Sequence, residues 1–140
     1  MISGVEIMTK VHAIRTGLVR IKRSQMAGRG RGLARLGHIL TDPEWSDWVP
    51  IHAWLVEHDE GLILVDTGET ARVHQRGYHP RWHPFYRRAV HFSVHPEEEL
   101  GPQLRALGID ARDIRHVVLT HLHTDHAPEP RRPDRRRQAD

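Results

Sequence analysis

The chain has 140 residues, the size of one domain, and only 38% of them are hydrophobic against a charged share of 28%, which describes a globular chain with a thin core. Its net charge of +3 is unevenly placed: residues 129–140 carry five arginines against Glu129, Asp134 and Asp140, so the body is nearly neutral and the overall basicity says little about partners. The lack of cysteine excludes disulfides and thiolate metal sites, and no apolar run approaches the roughly eighteen residues that span a bilayer. The N-terminus is broken by charge too often for a secretory signal, so a cytoplasmic location is the default expectation.

Val11 to Lys22 reads as two strands with a bend at Gly17. Residues 24–37 alternate glycine and arginine and are expected to form a mobile, solvated loop. Residues 10–35 hold eight Lys or Arg and no acid, which leaves room for a basic nucleic-acid- or metal-binding remnant without catalysis. Residues 50–58 alternate as a strand, Asp59-Glu60-Gly61 makes a turn, and Leu62 to Val65 forms a second strand apolar on both faces. That hairpin ends in Asp66-Thr67-Gly68. Residues 74–95 are too irregular to assign, although Trp45, Trp48, Trp54, Trp82, Phe85 and Tyr86 are candidates for a pocket or for the rim of the core. Pro96 and the acids after it suit a first helical turn, a second short helix is expected from Pro102 to Gly108, and Asp110 to Ile114 is a turn. His116 to Thr120 reads as a short buried strand. The order of strands, helix and strand predicts an α/β layered fold.

Immediately after that strand comes His121-Leu122-His123-Thr124-Asp125-His126. If the backbone stays extended, residues 121 and 123 point to one side and Leu122 points to the core. Two such imidazoles can chelate one ion at roughly 2.0–2.1 Å. A turn at Thr124-Asp125 returns Asp125 and His126 to the same place, where they can serve a second ion roughly 3.5–4 Å away. Nitrogen and carboxylate donors without sulfur suit zinc, with manganese, iron or cobalt also compatible.

The string THLHTDHA, preceded by an apolar strand and by ILVDTG some fifty residues earlier, resembles the metallo-β-lactamase superfamily of binuclear metallohydrolases. PIHAWLVEHDEGLILVDTGE and LGIDARDIRHVVLTHLHTDHA look most like its N-acyl homoserine lactonase branch. The resemblance implies an αββα sandwich of which residues 1–127 are the N-terminal half, with 128–140 a disordered tail rich in arginine and proline. It implies two divalent metals, zinc in relatives, held by His121 and His123 and by Asp125 and His126. It also implies Asp125 as a proton shuttle in catalysis, Asp66 as a carboxylate orienting a ligating histidine, and Thr67 and Gly68 as a close turn. The implied reaction is opening of a lactone or ester ring by metal-bound hydroxide, with a small-molecule lactone or ester as partner and no membrane. Such relatives draw further ligands from a second half. Past Ala127 this sequence lacks that pattern, so we expect a truncated chain that binds metal partially or weakly, is inactive alone and self-associates through exposed apolar surface. A competing reading takes Asp66-Thr67-Gly68 as the motif of a retroviral-type aspartic protease.

Overall fold

A computed structural model describes residues 9–27, 30–79 and 84–123. The predicted domain boundary at residue 127 and the predicted tail lie outside them, as does Trp82. Strand β1 runs Lys10–Ile21 and is followed by α1 (Arg23–Ala27) and α2 (Gly32–Thr41). The hairpin strands are β2 (Val49–His58) and β3 (Gly61–Val65). Then come α3 (Pro84–Arg88), β4 (Val90–Ser93), α4 (Leu100–Ala106) and β5 (Ile114–Val118).

The five strands form one sheet in the order β4-β1-β2-β3-β5. Pairing is antiparallel except between β3 and β5, which are parallel. A parallel pair needs a crossover, and the segment carrying α4 supplies it.

β1 is one long strand where two were expected, because Gly17 absorbs the irregularity. The β1–β2 register slips between Arg15 and Leu18, and Gly17 sits there with φ +125°. A Cβ at that position would lie 2.7 Å from Val94 Cγ2 and 2.9 Å from the Ser93 carbonyl, so glycine also lets the chain after β4 close in.

The segment 24–37 is not the open loop expected. Its described residues are largely helical, because Leu36, Ile39 and Leu40 recur at helical spacing and put Ile39 into the interior. Asp42 then ties the segment down. The Ser24 hydroxyl beside it, then hydrogen bonds from the Glu44 and Ser24 main-chain N–H groups, hold its carboxyl pKa at about 2.

The unassigned stretch 74–95 contains α3 and β4. Pro102 does not start a new helix. It occupies the first turn of α4, where a missing N–H costs nothing. Asp110, expected in a turn, caps a short 3-10 turn by accepting the Arg112 N–H at 2.8 Å.

The core lies on one face of the sheet. Ile14, Ala53, Leu55 and Leu64 pack with Leu104 of α4, and Leu62, Leu100, Ile109 and Ile114 close its margin. Cross-strand partners share a face, so the rows Ala13–Trp54–Val65–Val118 and Val11–Val56–Ile63–His116 lie on the other side. There Val11, Trp54 and Val118 are exposed. This corrects two expectations. In β3 only Leu64 is fully buried, since the opposite face has no cover among the described residues. β5 is exposed rather than buried, being the outermost strand among the described residues, with β3 as its single partner there. Among the described residues no helix is long and apolar enough to cross a membrane.

Candidate functional site

The end of β3 carries the first polar group of the site. Asp66 is 4% exposed and is the one described non-glycine residue with positive φ, at +59°, a conformation aspartate tolerates better than most side chains. Its N–H donates to the Val118 carbonyl at 2.8 Å. Its carboxylate accepts the Thr120 N–H at 2.8 Å, and the Thr120 hydroxyl lies 3.0 and 2.9 Å from its two oxygens. The end of β3 is thus stapled to the end of β5, and the register of these two strands sets where the histidines emerge.

Gly68 makes the turn beside Asp66 possible. With φ +69°, a Cβ there would fall 2.1 Å from Thr16 Oγ1 and 2.4 Å from Thr16 Cβ. Thr16 is itself fully buried in β1, so neither side can yield. Just beyond, the Glu69 carboxylate accepts from the Thr70 N–H at 2.9 Å and the Tyr78 hydroxyl at 2.7 Å. Glu99 accepts from the Thr70 hydroxyl and the Ala71 N–H, both at 2.9 Å. These bonds hold the loop after β3 against the turn before α4.

His121 and His123 emerge exposed from the end of β5, their rings edge to face with centroids 4.6 Å apart. Thr120 Oγ1 lies 3.0 Å from His121 Nδ1. A carboxylate only accepts, so the Thr120 hydroxyl gives its proton to Asp66 and accepts from His121 Nδ1–H, which leaves the lone pair on Nε2. Leu122 does not turn to the core as expected; it is 82% exposed, because the ordered strand stops at Val118 and no layer lies beneath it among the described residues. Asp125 and His126 lie outside the described residues, and among the described residues no three metal-type ligands gather.

Beside His123 opens an apolar cleft of about 330 Å³. Val19 and Ile21 of β1, Phe85 and Tyr86 of α3, and Val90 and Phe92 of β4 form most of its wall. Phe85 and Tyr86 therefore line a pocket, as the sequence allowed. Trp45 and Trp48 serve the framework instead. Trp45 stacks on His91 with centroids 4.1 Å apart and lies 3.9 Å from Lys22 Nζ. Arg20 covers Trp48 at 4.8 Å. Burial, then the charges of Arg20 and Lys22, push the His91 imidazole below its usual range. Sequence reading missed Thr120 as a link between Asp66 and His121, although its place directly before the first histidine was a usable signal. It also missed the cleft, which no local pattern announces.

The profile of the metallo-beta-lactamase superfamily matches residues 46–127. The chain is 35% identical over 79 residues to the N-acyl homoserine lactonase AttM of Azorhizobium caulinodans, a match covering 56% of this chain and 29% of that protein. The fold is similar to that of a solved N-acyl homoserine lactone hydrolase with N-hexanoyl-L-homoserine bound at its catalytic metal centre, with TM-score 0.60 and 20% identity over 85% of this chain and 43% of that one. A solved dizinc quorum-quenching lactonase, AidC, aligns with TM-score 0.50 and 23% identity over 88% of this chain and 37% of that one. The chain thus spans less than half the length of the relatives it matches, and the profile match, covering more than half of its own residues, establishes that it belongs to the metallo-beta-lactamase superfamily.

Proposed function

We propose that this chain carries part of the site of a metal-dependent hydrolase that opens lactone or ester rings of the N-acyl homoserine lactone type. The observation that carries the reading is the run Asp66–Thr120–His121 with His123 beside it and an apolar cleft adjoining. These residues fit a borderline divalent cation such as zinc. Two neighbouring exposed imidazoles offer nitrogen donors, and the hydroxyl held at His121 Nδ1 sets the tautomer that puts the ring's lone pair on Nε2. His121 and His123 would hold one cation, and Asp125 and His126 a second. When bound, such cations supply a hydroxide at neutral pH and polarise the carbonyl under attack.

The protein's own share is orientation and proton handling. Asp66 fixes Thr120, Thr120 fixes the His121 ring, and Asp125 takes the role of moving a proton at its carboxylate. The cleft receives the apolar part of the substrate and excludes water from it. Within these residues each cation has two proposed ligands, below the three typical of catalytic zinc, so binding through these four side chains by themselves is expected to be weak. Names of relatives support the substrate class: AttM is an N-acyl homoserine lactonase.

Calorimetric titration with zinc tests the reading. Binding should weaken at least about tenfold in His121→Ala and in His123→Ala, and should weaken in the parent as acid protonates the imidazoles. Zinc affinity unchanged in the double variant would sink the proposed ligand set.

A further inference from the structure

Between Thr70 and Pro96 the chain holds five arginines, Arg72, Arg76, Arg81, Arg87 and Arg88, and no aspartate or glutamate. Two of these, Arg76 and Arg87, line one concavity of about 260 Å³ whose other walls are Gln75, Gly77 and His79. They reach it from separate segments, Arg76 from the loop after β3 and Arg87 from the last turn of α3. Both are exposed, and neither guanidinium has an ion-pair partner among the described residues. Like charges gathered at one concavity repel, and an anion placed between them turns that repulsion into attraction.

Local geometry fixes the walls. The turn that presents Arg76 is closed by the Tyr78 N–H on the Gln75 carbonyl at 3.2 Å. Gly77 takes φ +90° there, and a Cβ on it would meet nothing within 4 Å, so the backbone lies open to a small ligand. The His79 ring stacks on Tyr86 at 4.3 Å and stands edge-on to Tyr78 at 5.0 Å between centroids. Tyr86 also lines the apolar cleft, so the Tyr86–His79 stack is a partition between the two cavities.

We propose that this concavity binds a phosphate-sized oxyanion, either inorganic phosphate or the phosphate of a small monoester. The guanidinium fork presents paired N–H donors that match a tetrahedral oxyanion, and the Gln75 amide adds another donor. Donors from two segments around one hollow suit a single compact anion, whereas a nucleic-acid backbone needs a stripe of cations. The site uses no metal and stands independently of the lactone reading.

Phosphorus NMR titrations of the full chain with inorganic phosphate and with glycerol 3-phosphate, at fixed ionic strength with EDTA present, test it. The parent should broaden the phosphorus line saturably, with Kd on the order of 1 mM or tighter, and the tighter of the two probes names the source. Arg76→Gln and Arg87→Gln should each weaken binding about tenfold. Arg88→Gln, one residue further along α3 and outside the wall, should leave it unchanged. All three side chains are exposed, so the substitutions spare the core. No saturable broadening in the parent overturns the proposal. Losses as large in Arg88→Gln as in Arg76→Gln overturn it too, and describe a diffuse basic surface of the kind that nucleic acid binds.

Discussion

Leu55 and Trp54 are neighbours in β2, and their side chains point to opposite faces of one sheet. Leu55 is fully buried beneath α4, while Trp54 on the other face is 43% exposed. The helix-covered face closes around Ile14, Leu64 and Leu104. The other presents Val11, Trp54 and Val118 to solvent. The sequence pattern of the two faces is alike in hydrophobicity, so what separates them is coverage and not composition. Apolar strands thus record that a face is meant to be covered, and they do not say by what.

The contrast has measurable consequences. Leu55→Ala should cost about 2–5 kcal/mol of stability in urea unfolding, since the helix-covered core cannot fully collapse onto the void. Asp66→Ala should cost less, about 2–3 kcal/mol, because the Thr120 N–H and hydroxyl lose their buried acceptor. It should also speed amide exchange at Val117 and Val118, the open edge that Asp66 staples. Unchanged exchange there would mean that β5 is held by something other than the Asp66–Thr120 bonds. Trp54→Ala should cost the least, about 1 kcal/mol or less, as a cross-strand pair on an uncovered surface. A loss there matching that of Leu55→Ala would show that the open face is covered in solution.

The site was more legible than its surroundings. His121, His123, Asp125 and His126 stand within six residues, the spacing from which the proposed metal ligands are read, and Asp66 ends a strand that any reading of ILVDTG finds. Gly68 was legible as a turn but not as a contact. Its need for glycine comes from Thr16, more than fifty residues away in sequence. The basic stretch shows the opposite failure: its glycines and arginines hid Leu36, Ile39 and Leu40, whose helical spacing proved decisive because a neighbouring surface was there to receive Ile39. β4 was invisible for a related reason, since a four-residue strand exists only through its pairing with β1.

Alternation and turn chemistry are local, so the chain's own order of residues was enough to specify the β2–β3 hairpin, the helical turn at Pro96–Glu98 and the run of histidines after β5. Burial, register and hydrogen-bond partnership are settled between distant segments. For that reason the exposure of β5, the Thr120 link between Asp66 and His121, and the cleft beside His123 emerged only once the strands were placed side by side.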